Sequence, residues 1–244
     1  MSSIKQDVRA RDILGASALR PDGIAKVTGS FSFSSDMWAE NMLWGATLRS
    51  PHPYARIISI DTTPALLISG VSAVLTAQDV PGKATYGLIS ADQPVFASDY
   101  VRYMGEPVAV VAADHPETCR RALALIKVVY EVLTPLTNPE DAIAGSFNPI
   151  HPDGNVIRHQ RILRGDQTVT GAVVVEGEYI IGMQDQAFLG LEAALAIPDA
   201  DGLGLHLHVA TQWLHEDLTQ ISACLNLPAE KVRLTLGGVG GAFG

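Results

Sequence analysis

Pro107-Val108-Ala109-Val110-Val111-Ala112-Ala113 leads into Asp114-His115-Pro116-Glu117, then into TCRRALALIK (Thr118 to Lys127) and VVYEVL (Val128 to Leu133). The first seven residues are unbroken apolar, as expected of a strand covered on both faces. Asp114 or His115 can cap a helix, Pro116 suits its first turn, and Glu117 complements the dipole. Cys119, Leu123 and Ile126, spaced four and three apart, mark one face of an amphipathic helix. VVYEVL reads as a second strand. Strand, helix and strand at this spacing predict a compact βαβ unit, and so a chain of the α/β (α+β) class.

Upstream, Arg20-Pro21-Asp22-Gly23 is a turn signal, with Pro fixing φ and Gly accepting a positive one. Residues 1–20 are polar and weakly patterned, an extended arm. LWGATLRS (Leu43 to Ser50) reads as a strand closed by Pro51 and Pro53, which cannot donate to a ladder. ARIISIDTT follows from Ala55, then another short β-like run from Gly70 to Thr76. Downstream, Thr134 to Asn155 collects Pro135, Pro139, Gly145, Pro149, Pro152 and Gly154, so a domain boundary is expected there, dividing 21–143 from 144–244. Beyond it, Val173 to Ile181 (VVVEGEYII), EAALAIPD (Glu192 to Asp199), Gly204 to Ala210 and Val232 to Leu236 read as strands. Leu214, Leu218, Ile221 and Leu225 mark a helix ending before Pro228.

The 244 residues carry a net charge of −9, from 17 Lys plus Arg against 26 Asp plus Glu. That balance argues against nucleic acid or an anionic membrane as partner, since both need basic patches. The charged fraction is 18% and mean hydropathy is +0.19, so part of the surface is expected to be buried against something. Cys119 and Cys224 stand far apart with no CxxC, which supports neither a disulfide framework nor an iron–sulfur or structural zinc site. The N-terminal residues never form the apolar core of a signal peptide, and no stretch reaches the roughly 20 apolar residues of a membrane span. A cytoplasmic chain with reduced thiols is the expectation.

Several residues could carry chemistry. Gly237-Gly238-Val239-Gly240-Gly241-Ala242-Phe243-Gly244 follows a strand and places five glycines among eight residues. Such a loop lets backbone approach a ligand and offers unhindered N–H groups to an anion; read blandly, it is a flexible tail. Gln184-Asp185-Gln186-Ala187-Phe188-Leu189 sets three polar side chains beside an apolar stretch. It is either a surface turn or an amide, Gln184, that donates and accepts at once to a ligand heteroatom. His206 and His208 have ligand-like spacing but read more simply as the solvent side of a strand. Glu106 could be a buried acid or base, or a strand-end residue making hydrogen bonds. Trp213 and His215 could line a pocket or pack in the core.

Whole motifs resemble the molybdenum-binding subunit of the xanthine dehydrogenase family, the molybdenum hydroxylases. RPDGIAKVTG (Arg20 to Gly29), LRSPHPYARI (Leu48 to Ile57), GVSAVLTAQDVPG (Gly70 to Gly82) and VRYMGEPVAVVAA (Val101 to Ala113) are similar to its α/β hammerhead domain. GNV (Gly154 to Val156), GMQDQAFLGLEAALA (Gly182 to Ala196), Thr211-Gln212 and LPAEKVRLTLGGVGGAFG (Leu227 to Gly244) continue the likeness. The resemblance implies a hammerhead domain at 21–143 followed by the first part of a molybdopterin-binding domain at 144–244.

It further implies that Gln184 hydrogen-bonds the molybdenum oxo group. Phe243 and Gly244, with Gly241 and Ala242, lie against the metal centre and pterin. Gln184 and Phe243 would stand beside the metal without ligating it. Gln186 and Gly190 depart from the His and Glu common in the family, a variant that looks like bacterial purine-type dehydrogenases. The implied activity is oxidative hydroxylation of purines or related N-heterocycles, with water as the oxygen source. An aldehyde or carbon monoxide dehydrogenase subunit, or a non-catalytic assembly module, is the alternative. The implied cofactor is molybdenum–molybdopterin, in its cytosine dinucleotide form, with 2Fe–2S and FAD on partner subunits. The family's general-base Glu lies in sequence beyond this stretch, so none of these residues is expected to be that base. The chain alone is expected to be inactive until joined by the remaining molybdopterin half.

Overall fold

A computed structural model describes residues 15, 17–145, 149–151 and 153–243. In chain order these form α1 (Gly23–Thr28), a 3-10 turn (Ser34–Asp36), β1 (Trp44–Arg49), β2 (Ala55–Asp61), α2 (Thr63–Leu66) and β3 (Val71–Thr76). Next come β4 (Thr85–Tyr86), β5 (Gln93–Pro94), β6 (Tyr100–Val101), β7 (Pro107–Ala113), α3 (Pro116–Leu123), β8 (Lys127–Val132) and α4 (Pro139–Ala144). The last elements are β9 (Ala194–Pro198), β10 (Leu205–Val209), α5 (Leu214–Leu225) and β11 (Val232–Leu236). The mixed α and β character matches the sequence expectation.

Contacts partition the chain differently from a single cut after residue 143. One unit comprises, as far as described, Met1–Glu40, Gln186–Ala223 and Leu227–Gly244; the other, the larger unit, comprises Asn41–Asp185 with Cys224–Asn226. The larger unit holds two three-stranded antiparallel sheets, β1-β7-β3 and β6-β2-β8, and the small pair β4-β5.

β7 organises the larger unit. Ala109, Val111 and Ala113 enter a core with Ala65, Val74, Cys119, Ala122 and Ile126, while Val108 enters a second core with Ala55, Ala97 and Val101. Both faces of the strand are therefore covered, as its unbroken apolar run predicts. α3 packs on β1 and β7. Its start follows the sequence: Pro116 is in the first turn and His115 Nδ1 accepts from Glu117 N at 3.1 Å.

The predicted βαβ unit is corrected here. β7 and β8 lie in different sheets, because β1 and β3 occupy both edges of β7. No edge is left for β8, which pairs antiparallel with β2 instead. Ile60 and Val128, from those two strands, touch both cores and tie the two sheets together.

The other unit contains the sheet β11-β10-β9, with β10 antiparallel to β9 and parallel to β11. A parallel pair needs a crossover, and α5 supplies it, so β10-α5-β11 is a true βαβ element. The strand expected over residues 173–181 is a second correction. This segment has no regular secondary structure, and Val173, Val174, Val175, Tyr179, Ile180 and Ile181 are exposed. Apolar patterning marks a segment that can pair, but a strand also needs a ladder partner, and no described strand runs beside it.

Candidate functional site

The Gly-rich loop leaves β11 with its first amide secured, Gly237 N donating to Val209 O at 2.8 Å. From there to Gly241 it is packed against its surroundings, with Gly238 buried and the others half-buried, so this stretch is not a free tail. Each of the loop's four described glycines lies where a side chain would collide. A Cβ on Gly237 would stand 2.0 Å from Ser34 Oγ, one on Gly238 1.9 Å from Phe31 Cε1, and one on Gly240 1.7 Å from Gly190 N. Such spacing is backbone in direct contact with its surroundings, which only glycine permits.

Two segments build the walls. The first is Phe188-Leu189-Gly190: Gly190 abuts Gly240, and a Cβ on Gly241 would meet Phe243 Cε2 at 2.5 Å and Phe188 Cβ at 3.2 Å. The structure thus brings the end of the glutamine motif and the Gly-rich loop together within one unit. The second wall comes from the N-terminal segment, which sequence reasoning left out of the site. Lys26 Nζ donates to Val239 O at 3.0 Å. Phe31 and Phe33 pack edge to face with centroids 5.0 Å apart, and Phe33 Cδ1 would stand 2.8 Å from a Cβ on Gly190. Ser34 is 3% exposed and its Oγ has no hydrogen-bond partner among the described residues. The alternation of aromatic and small residues in Phe31-Ser32-Phe33-Ser34 was the available signal.

Backbone strain gathers at the same two motifs. Ala187 has φ 47° and Phe243 φ 49°, both in the left-handed region that non-glycine residues seldom occupy, and Gly241 has φ 151°. Positive φ at two such residues costs free energy and clusters where a site is shaped for a ligand. Phe243 is 72% exposed, Ala242 is exposed, and Gly244 lies outside the described residues. Gln184 is exposed in irregular backbone two residues before this unit. Gly240 and Gly241 are half-buried and Ala242 is exposed, and backbone N–H groups that no side chain covers suit an anion better than a metal ion, so this end of the loop fits an anionic organic cofactor.

The remaining candidates resolve individually. His206 and His208 are half-buried rather than on a solvent side, with ring centroids 4.3 Å apart. His206 Nε2 is hydrogen-bonded to Thr235 Oγ1 at 2.8 Å. Burial, then the neighbouring His208 and Arg233, hold the His206 imidazole below its ordinary pKa. Among the described residues no group of three or more His, Cys, Asp or Glu could hold a metal. Glu106 is 2% exposed and accepts from the Arg102 amide, so its carboxylate closes the turn into β7. Trp213 is 58% exposed and lies in no core. Its amide donates to Thr211 Oγ1 at 3.1 Å, and Thr211 also bonds Asp217 at the start of α5. Cys119 Sγ donates to Trp44 O at 3.1 Å, and burial raises its pKa. A cleft of about 800 Å³ in the larger unit, between Tyr54, Tyr103, Met104, Leu136 and Ile150, contains none of the candidates. No helix among the described residues is long and apolar enough to cross a membrane.

Comparison with known proteins is consistent along the chain. Residues 28–134 match the aldehyde oxidase and xanthine dehydrogenase a/b hammerhead domain, and residues 150–244 match the molybdopterin cofactor-binding domain. The chain is 36% identical over 231 residues to a probable xanthine dehydrogenase subunit of Bacillus subtilis, covering 93% of this chain and 31% of that one. It is 34% identical over 235 residues to the nicotinate dehydrogenase large molybdopterin subunit of Eubacterium barkeri, covering 95% and 55% respectively. Quinoline 2-oxidoreductase from Pseudomonas putida 86 superposes with a TM-score of 0.80 at 30% identity, over 94% of this chain and 31% of its own. The aldehyde oxidoreductase of Desulfovibrio gigas does so with a TM-score of 0.80 at 29% identity, over 92% and 27%. The chain thus spans between about a third and about half of the length of these two curated relatives. With its hammerhead and molybdopterin-binding sequence in order, it belongs to the aldehyde oxidase and xanthine dehydrogenase family of molybdenum hydroxylases.

Proposed function

We propose that this chain is part of a molybdenum hydroxylase subunit that oxidatively hydroxylates purines or related N-heterocycles. The reading rests on the convergence of Phe188-Leu189-Gly190 with Gly240, Gly241 and Phe243, the two motifs that the family resemblance assigns to the cofactor. The choice of substrate class is supported by the names of relatives, which specify xanthine, nicotinate and quinoline, all nitrogen heterocycles. Likeness to an aldehyde oxidoreductase keeps aldehydes as the competing substrate.

Molybdenum–molybdopterin, in the cytosine dinucleotide form, would supply the two-electron oxidation of an electron-poor carbon with water as oxygen source. The chain's own residues would hold and orient it. Amides of Gly241 and Ala242, with Phe243 and Gly244, would receive the pterin side. The Gln184 carboxamide, donor and acceptor at once, would orient the metal centre from beside it. The Phe243 ring would exclude water from the substrate's approach. The general-base Glu and the rest of the molybdopterin domain would come from further sequence, and 2Fe–2S and FAD from partner subunits. The chain alone would then be inactive, and the complex would reside in the cytoplasm.

The test is the assembled complex, measured for molybdenum per chain and for oxidation of hypoxanthine or xanthine against aldehydes. About one molybdenum per chain with heterocycle turnover is expected; turnover of aldehydes alone overturns the substrate class. Gln184→Ala should lower turnover by roughly 10–100-fold, the usual cost of losing a group that orients a metal centre from outside its ligands. Folding and molybdenum content should persist, and unchanged turnover removes Gln184 from its role.

A further inference from the structure

We infer that Lys26 is a positioning residue for the Gly-rich loop, clasping it from the N-terminal segment. The claim that this serves cofactor binding rests on the function proposed above; the clasp itself rests on contacts within one unit.

An ammonium group has three hydrogens and no acceptor, so its partners can be followed one by one. Lys26 Nζ lies 3.0 Å from Val239 O, 213 positions away in sequence. It lies 2.8 Å from Asp22 Oδ2, one helical turn back. Its remaining side faces aromatic rings, 4.8 Å from the Phe31 centroid and 5.7 Å from that of Phe33. The Lys26 side chain is only 18% exposed, so this charge is fully partnered in a setting that screens it poorly. Asp22 is itself fixed by Arg20, and α1 ends at Gly29, whose left-handed φ of 74° returns the chain toward Phe31.

The loop needs such a clasp for a physical reason. Glycine loses more conformational freedom on ordering than any other residue, and four glycines with one valine span 237–241. Their absent side chains can contribute no packing of their own. Phe31 against Gly238 and Ser34 against Gly237 supply shape, while Lys26 supplies a directed hydrogen bond to the loop's central carbonyl. RPDGIAKVTG, which resembles hammerhead sequence, therefore works on the cofactor loop.

Hydrogen exchange of the full chain tests the clasp. In Lys26→Met, amides of residues 238–243 should exchange at least about tenfold faster, while those of β10 and β11 stay within about twofold of wild type. Lys26→Arg, which keeps charge and donors, should return loop exchange to within about threefold. Unchanged loop exchange in Lys26→Met overturns the proposal. So does equal acceleration in β10 and β11, which would make Lys26 a general stabiliser, and so does failure of Lys26→Arg to rescue. In the assembled complex, Lys26→Met should retain at least about threefold less molybdenum than wild type; full retention severs the clasp from cofactor binding. A wild-type complex without molybdenum overturns the proposed function and the clasp's service to it, and loop exchange then judges the clasp by itself.

Discussion

Gly240 has no space for a side chain. A Cβ there would stand 1.7 Å from Gly190 N and 2.6 Å from Gly190 Cα, and both are backbone atoms that cannot rotate aside. Gly240→Ala must push two segments apart, an overpacking that costs about 1–3 kcal/mol. Gly105 is the control: its φ is 95° but nothing lies within 4 Å of a Cβ, so Gly105→Ala meets strain without collision. Urea unfolding should show Gly240→Ala destabilised and its loop amides exchanging faster, with the β7 amides unaffected. A Gly240→Ala chain as stable as wild type would show that Gly190 and Gly240 do not touch. The two glycines were each visible in sequence within their motifs, but the contact was not, since fifty positions separate them and neither carries a side chain to pattern. Lys26 was hidden for a related reason: a lone lysine on a six-residue helix reads as solvated surface, and only its partner Val239 says otherwise.

At the scale of elements, burial was more legible than pairing. The apolar run of β7 foretold a strand covered on both faces, and Pro116 with His115 foretold the start of α3. Which sheet β8 joins depends on β1 and β3 having taken both edges of β7, and no local pattern near residue 127 records that. β10 misled in a smaller way. Alternation of Leu and Val with His suggested a wet face, whereas Arg233 and Thr235 of β11 stand beside His206 and His208 and leave them half-buried. Burial first, then His208 and Arg233, lower the His206 pKa from 6.5. As pH falls through 6.5 the unfolded chain therefore takes up this proton before the folded one does. Stability from His206 is full above that pH and declines below it. Urea midpoints of wild type should drop between pH 7.5 and 5.5, and His206→Gln should flatten part of that slope; identical slopes would remove His206 as the cause.

For the whole molecule, the contact partition has a mechanical consequence. Residues 157–185 run without regular secondary structure, and Arg158, Arg161 and Arg164 are all exposed. Backbone without ladder or helix hydrogen bonds opens to a protease active site at little cost, so brief trypsin treatment should cut there first. A chain made of two domains in sequence would then separate into two bodies. This chain should not, because the unit that holds β9, β10 and β11 also draws on residues N-terminal to the cut. Phe31 against Gly238, Phe33 against Gly190, Ser34 against Gly237 and Lys26 on Val239 O all cross from one fragment to the other. The nicked protein should elute from a sizing column under native conditions at the position of the intact chain, both fragments together by mass, and part only in denaturant. Lys26→Met should weaken that association without moving the cut sites. Fragments of the nicked wild type that part without denaturant would show that the N-terminal segment does not belong to the unit carrying the Gly-rich loop.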